Sequence, residues 1–302
     1  MLQGQFLKTL IKSMESNIFT SLILPIALGT MMLGMGLSLV PEDFQRVGKY
    51  PKAVAIGLIS QLLILPLIGL AIAKLLPMQP AIATGLMILA LCPGGVSSNL
   101  VTFLAMGDVA LSVTLTALSS LITVFTIPIF ANLASQHFFG QGAVVELPIG
   151  TTIGQIFAIT FLPIAIGMSI RQFVPKLSTK LEKVTSISAT ILLAVIILLL
   201  IIKEWSRLPN FIVQVGIGVL LLNTLSMGAG FYLSKLFNLN YKQQICISIE
   251  VGMQNGTLAI AITAGLLNNP DMAIPGAIYS LLMYLTGCMA IIYGRNLSAS
   301  RV

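Results

Sequence analysis

The sequence predicts an all-α polytopic membrane protein of about nine transmembrane helices, and three observations carry that prediction. Mean hydropathy is +1.01, and 57% of the residues are hydrophobic against 8% charged, far from the balance of a soluble domain. The apolar residues fall in nine runs, each long enough for the ~20 residues that cross a bilayer. None of the runs shows the period-two alternation that a membrane barrel requires.

The spans are expected at 18–40, 52–76, 80–105, 109–134, 147–171, 183–203, 209–235, 241–267 and 271–294. The first begins near Ile18. Met1 to Ser16 lacks an apolar core followed by a small-residue cleavage site, so no cleavable signal peptide is expected. Charges mark the ends of the other spans. Glu42, Asp43, Arg46 and Lys49 separate the first from the second, and Asp108 separates the third from the fourth. Glu146 precedes the fifth, Arg171 to Lys183 lie between the fifth and sixth, and Lys203 to Arg207 follow the sixth. Lys235 and Lys242 bracket the turn into the eighth, and Asp271 and Arg295 bound the ninth.

The net charge of +7 does not point to nucleic acid, because the basic residues are spread over short loops rather than clustered with aromatics. It reads as topology instead. One side of the nine spans holds Arg46, Lys49, Lys52, Arg171, Lys176, Lys180, Lys183, Lys235, Lys242, Arg295 and Arg301, eleven of the 16 Lys and Arg. The positive-inside rule therefore predicts a cytoplasmic C-terminus and an external N-terminus. Compact loops and the lack of a transit peptide favour a bacterial inner (plasma) membrane. Cys92, Cys246 and Cys288 fall inside spans without ligand spacing and are read as small apolar residues, so no disulfide is expected.

Of the nine carboxylates, only Glu250 lies deep in a span. An ionisable group at that depth costs at least ~2.5 kcal/mol, and such groups face a polar cavity, pair with a cation or carry protons. Glu250 belongs to Glu250-Val-Gly-Met-Gln-Asn-Gly256, a polar, glycine-bearing stretch in the eighth span. A second such stretch, Leu91-Cys-Pro-Gly-Gly-Val-Ser-Ser-Asn99, interrupts the third span: its proline lacks a helical donor and its glycines tolerate an unwound backbone.

Sliding the chain against itself by 161 positions superimposes these stretches, with Gly57 on Gly218, Gly69 on Gly230, Lys74 on Lys235 and Gly95 on Gly256. An odd number of spans separates the copies, so they are inverted relative to each other. Inverted repeats with broken helices point to a secondary transporter. The first repeat (18–134) has four spans and the second (147–296) five, leaving 1–17 as an N-terminal segment that is too short and polar to supply a tenth span.

Helix breaks at membrane depth survive only against protein, ions or water. Carbonyls released at Glu250, Val251 and Met253 suit a small hard cation, and half-helix N-termini suit an anion. Ser98, Asn99, Gln61 and Gln254 add oxygens, as do Ser112 and Thr116, whose four-residue spacing places both hydroxyls on one helix face. One carboxylate with neutral oxygens and neither His nor Cys suits an alkali cation, sodium first, over zinc or copper.

Leu33-Gly-Met-Gly-Leu37 with Pro41-Glu-Asp-Phe44, Cys92-Pro-Gly-Gly95 with Ser98-Asn99, and Glu250-Val-Gly-Met-Gln-Asn255 together resemble the bile acid:sodium symporter (BASS) family over nearly the whole chain. The resemblance implies a core domain with two crossed discontinuous helices, from spans 52–134 and 209–296. It implies a panel domain from 18–40, 147–171 and 183–203 that rocks against the core. Two sodium ions are implied: the first site on Ser98, Asn99, Ser112, Thr116 and Glu250, the second on Gln61, Glu250, Val251, Met253 and Gln254. The cargo it implies is an organic anion, either a small carboxylate or a bile-acid-like molecule. Its expected contacts are Asn255, Ser97, Gly94, Gly95 and Gly256. Met283-Tyr284 stands where bacterial bile-salt-binding relatives have His-Asn, and Val96 where they have threonine, which favours the small anion. Nine spans resemble the animal members.

Competing readings follow from the same residues. Glu250 could be a protonated carboxyl bonded to neighbouring helices. Ser112 and Thr116 could bond their own helix, and Gln61 could join helices. Gly36 and Gly218 read as close-packing positions, the 14 methionines as filler, and His137 as a solvated residue of an external loop. An enzyme is disfavoured because Glu250 has no second buried acid or histidine. The alternative function is a proton-coupled or metalloid/organic anion exporter of the same fold, with Glu250 carrying protons or Cys92 binding solute. Oligomeric state has no signature in the sequence.

Overall fold

The computed structural model describes residues 24–140, 149–203 and 208–299. The N-terminal segment 1–17, the first residues of the first span, Glu146, Trp205 and Arg301 lie outside the described residues. Every expected span has a helical counterpart. These are α1 (Leu24–Ser38), α3 (Pro51–Leu75), α4 (Pro80–Leu91) with α5 (Ser97–Leu104), α6 (Val109–Phe139), α7 (Ile149–Ile156 continuing through Leu162–Phe173) and α8 (Pro175–Lys203). There follow α9 (Leu208–Leu236), α10 (Tyr241–Gly252) with α11 (Gly256–Ile260), and α12 (Pro270–Ala299). Among the described residues, five continuous helices are long and apolar enough to cross a bilayer unaided, and Pro80–Leu91 and Gly256–Leu266 are short apolar pieces.

Three local differences from the sequence reading have simple causes. Residues 41–49, read as loop, form α2 (Pro41–Lys49), with proline at its start, Glu42 and Asp43 in its first turn, and the Asp43 carboxylate accepting from Val40 N at 3.0 Å. The sixth span begins eight residues early, at Pro175, so Lys176 and Lys180 sit on α8 rather than in a loop. Helix α6 runs on to Phe139, which puts exposed His137 in its last turn, edge-on to the Phe138 ring.

Pi turns interrupt three spans, at Ser60–Ile64, Phe157–Phe161 and Ala261–Leu266. Pro66 and Pro163 follow the first two closely and lack the N–H that would bond the preceding turn, which explains the wider loop there. The first of these turns carries Gln61, in keeping with the concentration of such bulges at functional sites.

Helix α1 lies along α7 and α8 at close range. A Cβ on Gly36 would overlap the Ile164 carbonyl, and one on Gly167 would overlap the Leu33 carbonyl, so small residues set this crossing. Ser178 Oγ ties α8 to α1 by donating to Leu37 O at 3.0 Å. The remaining helices pack around the broken pair, α9 on α10, α6 on α4, and α12 on both α4 and α9.

Candidate functional site

Helix α4 stops because Pro93 forces the residue before it out of helical geometry: Cys92 is extended, with φ −69° and ψ 155°. Helix α10 starts from a capping box between Asn240 and Gln243 and ends at Gly252, with Met253 extended at φ −115° and ψ 93°. The two unwound stretches meet as an antiparallel bridge of Gly94 with Gln254. Gly95 N donates to Met253 O at 2.7 Å, and Asn255 N donates to Pro93 O at 2.9 Å. Each break thus satisfies polar groups freed by the other, which is what allows irregular backbone this far inside.

Glu250 lies just before the second break and is 1% exposed. Its Oε2 accepts from Ser98 Oγ at 2.7 Å and Ser112 Oγ at 2.8 Å, and its Oε1 accepts from Thr116 Oγ1. All three donors are neutral hydroxyls, from α5 and α6. A Cβ on Gly94 would overlap Glu250 Oε1, so glycine there lets the carboxylate lie directly against the first break. Asn99, next to Ser98, has a buried Oδ1 with no hydrogen-bond partner. An unpartnered buried acceptor calls for an explanation, and a bound cation is one.

Gln61 reaches the crossing from α3. Its Nε2 donates to Cys92 O at 3.1 Å and to Gln254 Oε1 at 2.7 Å, and Gln254 Nε2 donates to Val251 O at 2.6 Å. Apart from the Asn99 side chain, for which no contact with Glu250 is seen, the residues expected at both cation sites therefore come together around one crossing. Among the described residues Val251 O and Met253 O each accept one hydrogen bond, and a carbonyl has two lone pairs, so each retains one there.

Among the expected substrate contacts, Asn255 caps α11, its Oδ1 accepting from Leu258 N at 3.0 Å, while its Nδ2 donates to none of the described residues. Ser97 is half-buried at the start of α5. Gly94, Gly95 and Gly256 are buried; a Cβ on Gly95 would stand 3.1 Å from Gln254 O, and one on Gly256 would overlap Ser280 Oγ. A cavity of about 260 Å³ opens beside the crossing, between α1, α7 and α11, lined by Pro25, Leu28, Gln155, Ile159, Leu258 and Ile262. None of the five expected contacts lines it. It begins one turn beyond Asn255, and the π turns of α7 and α11 form two of its walls.

Two residues at the crossing escaped the sequence reading. Asn223 of α9 is fully buried, and its Nδ2 donates to Gly252 O at 2.7 Å and to Tyr279 Oη at 3.2 Å. Tyr279 of α12, also fully buried, donates to Gly252 O at 2.8 Å. The gapless offset pairs Gln61 with Leu222, one residue short of Asn223. An amide in the middle of the seventh span was the available signal.

A profile of the Sodium Bile acid symporter family matches residues 11–210, about two thirds of the chain. The chain belongs to that family. Similar proteins extend the likeness beyond the matched stretch. The chain is 31% identical to the probable sodium/metabolite cotransporter BASS2, chloroplastic, of Oryza sativa subsp. japonica, over 97% of this chain and 67% of that protein. It is 32% identical to the uncharacterized sodium-dependent transporter YocS of Bacillus subtilis, over 92% of this chain and 85% of the relative. It is 26% identical to the human ileal sodium/bile acid cotransporter, over 82% of this chain and 70% of that protein. The chain is thus a membrane transporter of a sodium-dependent family and not an enzyme.

Proposed function

We propose that this protein is a symporter that moves a small organic anion together with two sodium ions by alternating access. The observation that carries the reading is the setting of Glu250. It is a fully buried carboxylate at the crossing of two broken helices, bonded among the described residues by the hydroxyls of Ser98, Ser112 and Thr116 alone. The first sodium is taken by Glu250 with Ser98, Asn99, Ser112 and Thr116. The second is taken by Glu250 with Gln61, Gln254 and the carbonyls of Val251 and Met253.

The hydroxyls of Ser98, Ser112 and Thr116 suit both loaded and empty states. A hydroxyl donates to the bare carboxylate and, after turning its hydrogen away, presents a lone pair to a cation. Sodium binding neutralises Glu250 and holds the crossing in one arrangement. The anion then docks between the broken helices and the panel, using the free Nδ2 of Asn255 and the amide end of α5 at Ser97, with the glycines giving it close approach to the backbone. Coupling follows when fully loaded and empty forms reorient more readily than partly loaded ones.

The panel of spans 18–40, 147–171 and 183–203 moves as a unit against the core of 52–134 and 209–296. The tight α1–α7–α8 packing and the cavity between α1, α7 and α11 support this division. The charge bias supports an external N-terminus and a cytoplasmic C-terminus, an orientation in which the cavity would lie in the outer half of the proposed bacterial inner membrane. Metabolite and bile acid appear in the names of relatives; Met283-Tyr284 and Val96 favour the smaller cargo.

Thermal stabilisation of the purified protein by a panel of small carboxylates and bile salts, each in sodium or potassium, tests the proposal. A shift by a carboxylate that appears only in sodium is the expected result. Shifts that ignore sodium and follow pH would overturn it in favour of a proton-coupled carrier.

A further inference from the structure

The second break frees three consecutive carbonyls, Val251, Gly252 and Met253, and the structure treats the middle one differently. Gly252 O accepts from both Asn223 Nδ2 at 2.7 Å and Tyr279 Oη at 2.8 Å, so both of its lone pairs are used. The outer two carbonyls accept one bond each and keep one lone pair. Asn223 and Tyr279 also bond each other at 3.2 Å, which makes a closed triangle of two side chains from different helices on one peptide oxygen. Neither side chain has any exposed surface, and Met227 packs so closely on Gly252 that a Cβ there would overlap its side chain. The peptide after Gly252 is therefore fixed in direction from two sides.

We propose that Asn223 and Tyr279 are positioning residues for sodium. By saturating Gly252 O they withhold it from the ion, and by fixing its peptide they aim the carbonyls of Val251 and Met253 at the second cation site. This rests on the proposed sodium sites and adds a determinant outside them, since neither residue belongs to either proposed ligand set. Gln61 does the corresponding work on the first break, where it bonds Cys92 O, but it also belongs to the proposed ligand set. The Asn223–Tyr279 pair separates positioning from ligation.

The clamp predicts a loss of ion discrimination rather than only a loss of binding. Without it, Gly252 O regains a lone pair and the peptide can turn, so the site accepts alkali ions of other sizes. Tyr279→Phe removes one donor at nearly constant shape, and Asn223→Ala removes two. The sodium concentration for half-maximal thermal stabilisation is expected to rise about fivefold to tenfold in Tyr279→Phe and more in Asn223→Ala. The lithium-to-sodium ratio of those concentrations should move at least threefold toward unity. The double variant should be less than the product of the singles, because both act on one carbonyl.

The experiment is a titration of the purified full chain with lithium, sodium and potassium chlorides at constant ionic strength, followed by thermal unfolding. Wild-type protein that ignores sodium would overturn the sodium sites themselves. Wild-type protein that responds, with Tyr279→Phe folded and its half-saturating sodium and lithium ratio both within twofold of wild type, would overturn the clamp alone. Should Asn223→Ala fail to fold, Tyr279→Phe decides the question.

Discussion

Replacing Glu250 by Gln separates the charge of the site from its shape. The side chain keeps its length, and the three hydroxyls that now donate to the carboxylate can donate to the amide oxygen or accept from its nitrogen. What disappears is one negative charge beside the ions. At an effective dielectric of 20, unit charges about 4 Å apart attract by about 4 kcal/mol, which is about three decades in sodium affinity. Both proposed ions use Glu250, so both are weakened. Stability without sodium should move the other way. A buried carboxylate with 1% exposure and no basic partner among the described residues bears a desolvation cost that a neutral amide does not. Glu250→Gln is therefore expected to unfold at an equal or higher temperature than wild type in potassium and to gain nothing in sodium. At sodium a hundred times its dissociation constant the wild type gains about 2.7 kcal/mol, and a site weakened a thousandfold gains less than about 0.1 kcal/mol. Thermal unfolding in matched sodium and potassium chloride reads both quantities. A variant that keeps half of the sodium-dependent shift, or one markedly less stable than wild type in potassium, would refute the reasoning.

Gly94→Ala forces a methyl group onto Glu250 Oε1 at the point where the carboxylate meets the first break. It should cost about 1–3 kcal/mol of stability and lower sodium-driven uptake at least tenfold, measured by unfolding and by proteoliposome flux. Gln61→Leu removes the donor to Cys92 O and Gln254 Oε1 and leaves buried acceptors bare, at a cost of about 1–3 kcal/mol. Because Gln61 belongs to only one of the two proposed ion sites, the sodium dependence of transport in that variant should lose cooperativity, with a Hill coefficient near one.

The spans, the two breaks and the singular position of Glu250 were legible from sequence because each has a local cause, whereas Ser112, Thr116 and Gln61 were drawn to the crossing by the family resemblance. Long apolar runs admit few structures in a bilayer, Cys92-Pro93 must leave the helix, and a lone carboxylate at depth must be bonded. What sequence hid depended on three-dimensional register. Asn223 and Tyr279 are ordinary polar residues until α9 and α12 bring both onto Gly252 O. Gly94 looked like a hinge or a ligand contact, and its tight constraint, the Glu250 carboxylate against its Cα, exists only once α10 crosses α4. The amphipathic α2 was lost in a charged stretch between two spans, although Pro41 and the acidic first turn are good helix-start signals.

The reciprocal bonds at the crossing explain why two distant broken helices can respond as one unit. Gly95 N is held by Met253 O and Asn255 N by Pro93 O, so neither break can relax or wind without removing a partner from the other. Leaving such a buried backbone group unpaired costs about 1–3 kcal/mol each time. An ion that binds Glu250 on one helix and Ser98 on the other therefore biases both breaks together. The starting turns of both downstream half-helices, at Ser97 and Asn255, move with them. Those two turns are where the proposed anion docks. On this geometry the proposed sodium would act on the proposed cargo site through the backbone crossing itself, with no longer relay between the two.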